Sequence, residues 1–200
     1  VSPDSPLSRI GDPLVRAATT APKVMSRVRG GLARAAIRAV GGSCGRRLRI
    51  EKGLRVRQGW HSGIDLGDDV YLGRDTTIDC PRGGRLVIGS RATLTQGVFV
   101  SAVAEVFIGD DALIGEYCSV RDAAHGTALD GIPMRAQPME PDRISIAADV
   151  WLGRGVAVVA GAQIGAGAVI GANSVVLGDI PSNAIAAGAP ARVKRLREGR

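Results

Sequence analysis

Aromatic side chains are scarce in this 200-residue chain, with Phe, Trp and Tyr together making up 3% of it. That argues against a core of packed rings and for stacks of small and aliphatic residues, such as fill the narrow axis of a solenoid. It also removes the platforms on which nucleic-acid bases stack, and no RNA-binding or zinc-finger spacing is present. Cysteine is limited to Cys44, Cys80 and Cys118, an odd number without paired spacing, which reads as small core residues of a reducing compartment rather than a disulfide framework. No uncharged apolar run reaches the ~18 residues that cross a bilayer. The opening VSPDSPLSRIGDP lacks the basic-then-apolar order of a secretion signal, so a cytoplasmic location is expected. His61 and His125 are the only histidines, too few for a catalytic zinc held by about three of them.

What the chain has instead is rhythm. An aliphatic residue returns every sixth position at Ile146, Leu152, Val158, Ile164, Ile170 and Val176, and a small or branched one sits four further on at Val150, Val156, Ala162, Ala168 and Ser174. A helix repeats every 3.6 positions and a strand every two, so a sustained period of six needs a chain that turns a corner at each step. Earlier sets begin at Leu66, Ile88 and Ile108, with Ile50 and Val56 hinting at an imperfect first coil. Three hexads make one triangular turn of 18 residues, whereas the first positions Leu66, Ile88, Ile108, Ile146 and Ile164 lie 22, 20, 38 and 18 apart. Every excess falls after the third hexad, so all insertions leave one corner: short turns at 81–84 and 103–104, and a long loop at 121–143. His125 stands where that loop departs. Long loops in compact repeats are functional or disordered.

The segment before the repeat reads differently. Residues 1–12, rich in Pro, Ser and Asp, are expected to be loosely held. From Pro13 to Val40 the pattern is helical, with Val15, Val24, Val28, Leu32, Ala36 and Val40 near one face, arginines among the rest, and Pro22 expected to split it. Two readings compete: a basic amphipathic helix lying on anionic lipid, or a cap over the end of the solenoid. The cap is preferred, because the apolar stripe is weak and carries no Trp or Phe. The formal charge of +7, mostly arginine, fits a membrane surface or a phosphate-bearing small molecule better than nucleic acid. The expected organisation is a flexible and helical cap over 1–45, a β-helix over 46–190 and a basic tail over 191–200.

The run Ile108-Gly109-Asp110, then Ser119-Val120-Arg121-Asp122-Ala123-Ala124-His125-Gly126, Asp149-Val150-Trp151-Leu152-Gly153, and the close through Asp179-Ile180-Pro181 to Ala187-Gly188-Ala189-Pro190-Ala191-Arg192-Val193 resembles the hexapeptide-repeat acyltransferases. The branch it is most similar to holds the maltose, galactoside and polysaccharide O-acetyltransferases. The resemblance implies an all-β fold, a left-handed parallel β-helix of about five to six coils, working as a homotrimer with sites between subunits. It implies transfer of an acetyl or other acyl group from acyl-CoA to a saccharide hydroxyl, as in polysaccharide biosynthesis, with no metal required. His125 would then be the general base, and the Gly153–Arg154 turn would offer an N–H to the oxyanion. CoA would lie along Gly153, Arg154, Gly171, Ala172, Leu177, Gly178, Arg192 and Arg195, although Leu177-Gly178 departs from the Thr-Lys pair often found there.

Other readings stay open at this point. Asp122 would orient the imidazole, bind the acceptor or simply form a turn; Gln96 and Trp151 are acceptor-side candidates; His61 is structural or at the acceptor end. N-acylation of an amino sugar and a non-enzymatic scaffold are the alternatives to O-acyl transfer.

Overall fold

A computed structural model describes residues 13–198, with side chains from residue 22; the loosely held segment expected over 1–12 lies outside the described residues, as does the side chain of Val15. The chain winds into a triangular prism whose walls are three parallel sheets. Face A stacks Ser43–Cys44, Ile64–Leu66, Arg85–Ile88, Glu105–Ile108, Ile144–Ile146 and Gln163–Ile164. Face B stacks Arg49–Ile50, Tyr71–Leu72, Thr93–Leu94, Leu113–Ile114, Trp151–Leu152 and Val169–Ile170. Face C stacks Arg55–Val56, Thr77–Asp79, Phe99–Ser101, Ser119–Arg121, Ala157–Val158 and Val175–Val176.

The register follows the spacing read from the sequence. Leu66 pairs with Ile88, Ile88 with Ile108, Ile108 with Ile146 and Ile146 with Ile164, so unequal separations close into equal coils. The imperfect first coil is real, since Ile50 pairs with Leu72 and Val56 with Ile78. Strands of two to four residues suffice because every inward aliphatic residue stacks on its counterpart one coil away and leaves water completely, as at Ile78, Leu94, Ile114, Leu152 and Ile170. Each such side chain contributes about 1.5–3 kcal/mol of transfer free energy. The small residues four positions on from each aliphatic, Val150, Val156, Ala162, Ala168 and Ser174, are buried under the corners. Cys44, Cys80 and Cys118 are buried free thiols, and burial pushes those of Cys80 and Cys118 up to about 11.

The A–B and B–C corners are tight turns that each place one residue at positive φ. Asp69, Arg91 and Asp111 take that place between faces A and B; Gly97, Tyr117 and Gly155 take it between B and C. Along the A–B edge the exposed side chains pair from coil to coil, Arg47 with Asp69 and Arg91 with Asp111 at 2.7 Å through both guanidinium arms. Exposed pairs of this kind are weakened by water and salt, so they mark register more than they hold the fold.

Helix α1 spans Pro13–Ala39 and packs against the first coil. Two expectations about it fail. Pro22 lies inside one continuous helix instead of splitting it; the missing N–H removes one intrahelical bond, and the rest of the helix is held by docking on the prism. The face that docks is also the opposite of the one the sequence suggested. Ser26, Gly30 and Ile37 are buried, while Val24, Val28, Leu32 and Val40 face outward. Close approach decides the matter: a Cβ at Gly30 would collide with the carbonyl of Leu48, so glycine lets the helix backbone rest on the coil where a larger residue could not. At the other end, residues expected to form a basic tail form a strand, Ala191–Leu196, antiparallel to Ala184–Gly188 on the extension of face B. No described helix is long and apolar enough to cross a membrane.

Candidate functional site

All three insertions leave the C–A corner, and the long one is an ordered hairpin. Ala123–His125 pairs antiparallel with Met139–Pro141, which sets His125 opposite Met139. The loop between them is braced by one buried side chain, Gln137. Its Oε1 accepts from Ala128 N at 3.0 Å, and its Nε2 donates to Ala128 O at 2.8 Å and Ile132 O at 2.9 Å. Gly126 N donates to Pro138 O at 3.0 Å directly beyond the histidine. His125 is exposed, so its imidazole is presented to solvent from a backbone that is fixed on both sides.

Asp122 anchors the root of this hairpin. It is completely buried, and its two carboxylate oxygens each accept a backbone N–H at 2.8 Å, from Val103 and from Ala104 in the short insertion one coil below. Its own carbonyl accepts from Asp142 N at 2.7 Å, where the hairpin returns. Of the readings open for Asp122, the turn-forming one is what the geometry carries. Both oxygens are thereby engaged by backbone N–H groups of the scaffold.

His61 is buried as well. Its Nε2 lies 2.7 Å from Cys80 O and its Nδ1 accepts from Gly63 N at 3.1 Å, which specifies the neutral ring with the proton on Nε2. It is a structural histidine that joins two neighbouring turns of the C–A corner.

Five of the other candidates gather on the B–C corner. Gly153 and Arg154 form one turn there, and Gly171 and Ala172 the turn of the next coil. Gln96, from an earlier turn, donates through Nε2 to the Tyr117 hydroxyl at 3.0 Å, and the Arg154 guanidinium lies over the Tyr117 ring, 5.5 Å from its centroid. Tyr117 escaped the sequence reading. The signal was present in the corner register, because Tyr117 occupies the positive-φ place held by Gly97 one coil earlier and Gly155 one coil later, with φ +59°. A bulky ring in that conformation is strained and is retained where the side chain is used. Trp151 stands half exposed on face B beside Leu113, which forms an apolar strip next to this cluster.

The Gly153 N–H is spent on Ile170 O at 2.8 Å, which removes it as an oxyanion donor; no backbone partner of the adjacent Arg154 N–H is present among the described residues. Leu177 and Gly178 follow the last strand of face C and so lie on the C–A corner, across that face from Gly171 and Ala172. Arg192 and Arg195 project from the final strand of sheet B. Arg154, Arg192 and Arg195 are exposed and meet no carboxylate among the described residues; Arg154 and Arg192, which pairs with Ala187, lie toward the B–C edge, whereas Arg195 pairs with Ile185 nearer the A–B edge. Among the described residues no group of three or more His, Cys, Asp or Glu side chains is placed to hold a metal ion.

One chain therefore separates what the chemistry would combine. His125 stands on the C–A corner, while Gln96, Tyr117, Arg154, Gly171 and Ala172 stand on the B–C corner, with the width of face C between them. Two clefts of about 750 and 550 Å³ lie elsewhere, beside helix α1, and His125 lines neither.

Residues 143–178, the most regular part of the prism, match the family described as bacterial transferase hexapeptide (six repeats). Over 137 residues the chain is 33% identical to WbbJ of Escherichia coli K12, a protein named for O-acetyl transfer in lipopolysaccharide biosynthesis, with 65% of this chain and 70% of that protein covered. It is 32% identical over 135 residues to a protein of Mycobacterium tuberculosis H37Rv named as an acetyltransferase, covering 68% of this chain but only 45% of that longer relative. In three dimensions it matches a hexapeptide-repeat acetyltransferase of Vibrio cholerae, solved with acetyl coenzyme A, at a TM-score of 0.61 and 24% identity over 94% of this chain and 92% of that one, a likeness of fold. The coil-by-coil register, the hairpin at a single corner and the identity to WbbJ over most of both chains agree, and the chain belongs to the hexapeptide-repeat acyltransferases.

Proposed function

We propose that the chain transfers an acyl group, acetyl in the simplest case, from acyl-CoA to a hydroxyl of a saccharide or glycan precursor, with His125 as general base. The observation that carries the reading is the placement of His125: exposed, backbone-fixed on both sides, and set on the one corner where the repeat is interrupted. A thioester is already activated, so catalysis reduces to positioning a hydroxyl and removing its proton as it attacks. His125 accepts that proton while the C–O bond forms. The tetrahedral intermediate collapses, the C–S bond breaks, and the imidazolium returns the proton to the departing sulfur of CoA.

The B–C corner has the chemistry to hold acyl-CoA. Gly153, Gly171 and Ala172 present no side chain larger than a methyl group along two successive turns, so an extended thiol arm can lie close to the backbone, and Arg154, Arg192 and Arg195 supply cations for its phosphates. Arg154 N–H is the donor available to the oxyanion. Because His125 and this corner lie on opposite edges of face C, a working site forms where the His125 corner of one subunit meets the B–C corner of the next, which favours a closed homotrimer. The apolar strip of Leu113 and Trp151 on face B is suited to such a contact.

Replacement of His125 by Ala should lower kcat by roughly 10²–10⁴-fold, the usual worth of a positioned base, with CoA affinity measured by calorimetry unchanged. Near-normal turnover in that variant would refute the assignment. Paired hydroxyl and amino sugars as acceptors decide between O- and N-transfer.

A further inference from the structure

The described part of helix α1 carries an apolar face that the other described residues leave largely uncovered. Inward-facing Ser26, Gly30 and Ile37 dock the helix, and on the opposite side Val24, Val28 and Leu32 stand one above the other at intervals of four, with exposures of 49%, 48% and 70% and Met25 beside them at 49%. The helix has no acidic residue anywhere along its length. Lys23, Arg27, Arg34 and Arg38 line one flank of the stripe, and among the described residues Arg29 alone of the helix's cations meets a carboxylate, that of Glu51 at 3.9 Å. An apolar stripe edged by cations is the pattern of a helix lying in a lipid interface, with its stripe among the acyl chains and its cations among phosphates.

A second observation lies beneath that cationic flank. A cleft of about 750 Å³ opens between the helix and the first coil, with Arg27, Arg34, Arg47 and Arg49 in its walls and Asp69 as the carboxylate there, already joined to Arg47. Arg34 Nε is buried with no hydrogen-bond partner among the described residues. A buried guanidinium N–H without an acceptor is costly, and an anionic oxygen entering the cleft would satisfy it. The prism thus ends in an apolar stripe and a basic recess on adjoining surfaces.

We propose that helix α1 docks the N-terminal end of the prism on an anionic phospholipid surface. Val24, Val28 and Leu32 insert, and the Arg27–Arg34 flank and its cleft receive lipid phosphates. Docking of this kind is peripheral, and it rests on none of the residues assigned to acyl transfer.

Cosedimentation of the full chain with vesicles tests it. Vesicles of phosphatidylglycerol and phosphatidylcholine in equal parts should bind the protein at least tenfold more tightly than phosphatidylcholine alone, and the difference should shrink at high salt. The double substitution Val28→Asp with Leu32→Asp should weaken that binding at least tenfold while leaving the thermal transition in place, since both side chains are exposed. Arg34→Gln should weaken it without touching the stripe, and inorganic phosphate in place of vesicles should compete only weakly. The proposal is overturned by no binding to the anionic vesicles, by equal binding to both compositions, or by binding that the double substitution leaves intact. Concentration-dependent pairing of the chain that the double substitution abolishes, with no vesicle binding, would assign the stripe to a second copy instead.

Discussion

Asp122 shows how a carboxylate three residues from a candidate base can belong to the scaffold. Its two oxygens terminate the backbone of the Val103–Ala104 turn, so the short insertion of one coil and the long insertion of the next share a single buried hinge. Asp122→Ala would leave two part-buried N–H groups without their acceptors, at about 1–3 kcal/mol for each at most. A loss of up to about 2–6 kcal/mol is expected in urea titration, with the Asn variant, which keeps one acceptor oxygen, falling between. If Asp122 oriented the imidazole, Asn would instead leave stability intact and depress kcat. At this scale the sequence carried His125 by its position, because loop, corner and flanking residues converge on it. It could not carry the role of Asp122, which depends on the distance to a turn 18 or 19 residues earlier in the chain. Nor could it show that His61 turns its ring inward to bridge Cys80 and Gly63.

Among the elements, the His125 hairpin and helix α1 teach opposite lessons about pattern. The hairpin has little periodicity of its own, and its shape is set by Gln137, whose amide takes the place of a missing ladder by joining Ala128 and Ile132. Gln137→Ala should loosen the loop beyond His125 and with it the strand end that carries the histidine: kcat is expected to fall about tenfold, a barrier increase of about 1.4 kcal/mol, with little change in the main unfolding transition. Equal turnover in wild type and variant would show that the brace is idle. The helix does have periodicity, yet the visible stripe of valines and leucine proved to be the outer face. A helical spacing of apolar residues marks a stripe without saying what covers it, and here the docking side was chosen by steric room at Gly30, which no hydropathy pattern records. Pro22 misleads for a related reason, since its cost is local and the docking of the helix is not.

For the whole molecule, the separation of His125 from the B–C corner turns a question of oligomeric state into one about activity. His125→Ala should be almost inactive, and Arg154→Ala, which keeps the backbone N–H but loses a cation for CoA, should be slow at limiting acyl-CoA. Unfolded together and refolded as mixed oligomers, they should regain a measurable part of wild-type activity, because some interfaces then join an intact His125 to an intact Arg154. No recovery over either variant alone would place both residues in one subunit's site. The prism itself was legible almost completely, since a six-residue period has one physical solution and the register can be counted. The assembly was not, because a chain's sequence records which edges are regular but not which two edges meet.

The C–A corner gives this architecture an exchangeable part. Ile108 and Ile146 sit in register although 38 residues separate them, where Ile146 and Ile164 need only 18. Twenty residues of extra chain have been absorbed without moving a single inward side chain. Lengthening a loop costs little, about 0.6 kcal/mol for each doubling, so that hairpin can be traded for another while the two uninterrupted edges stay flat enough to assemble. A wall that keeps its count regardless of what is hung from one edge can change its clientele without refolding.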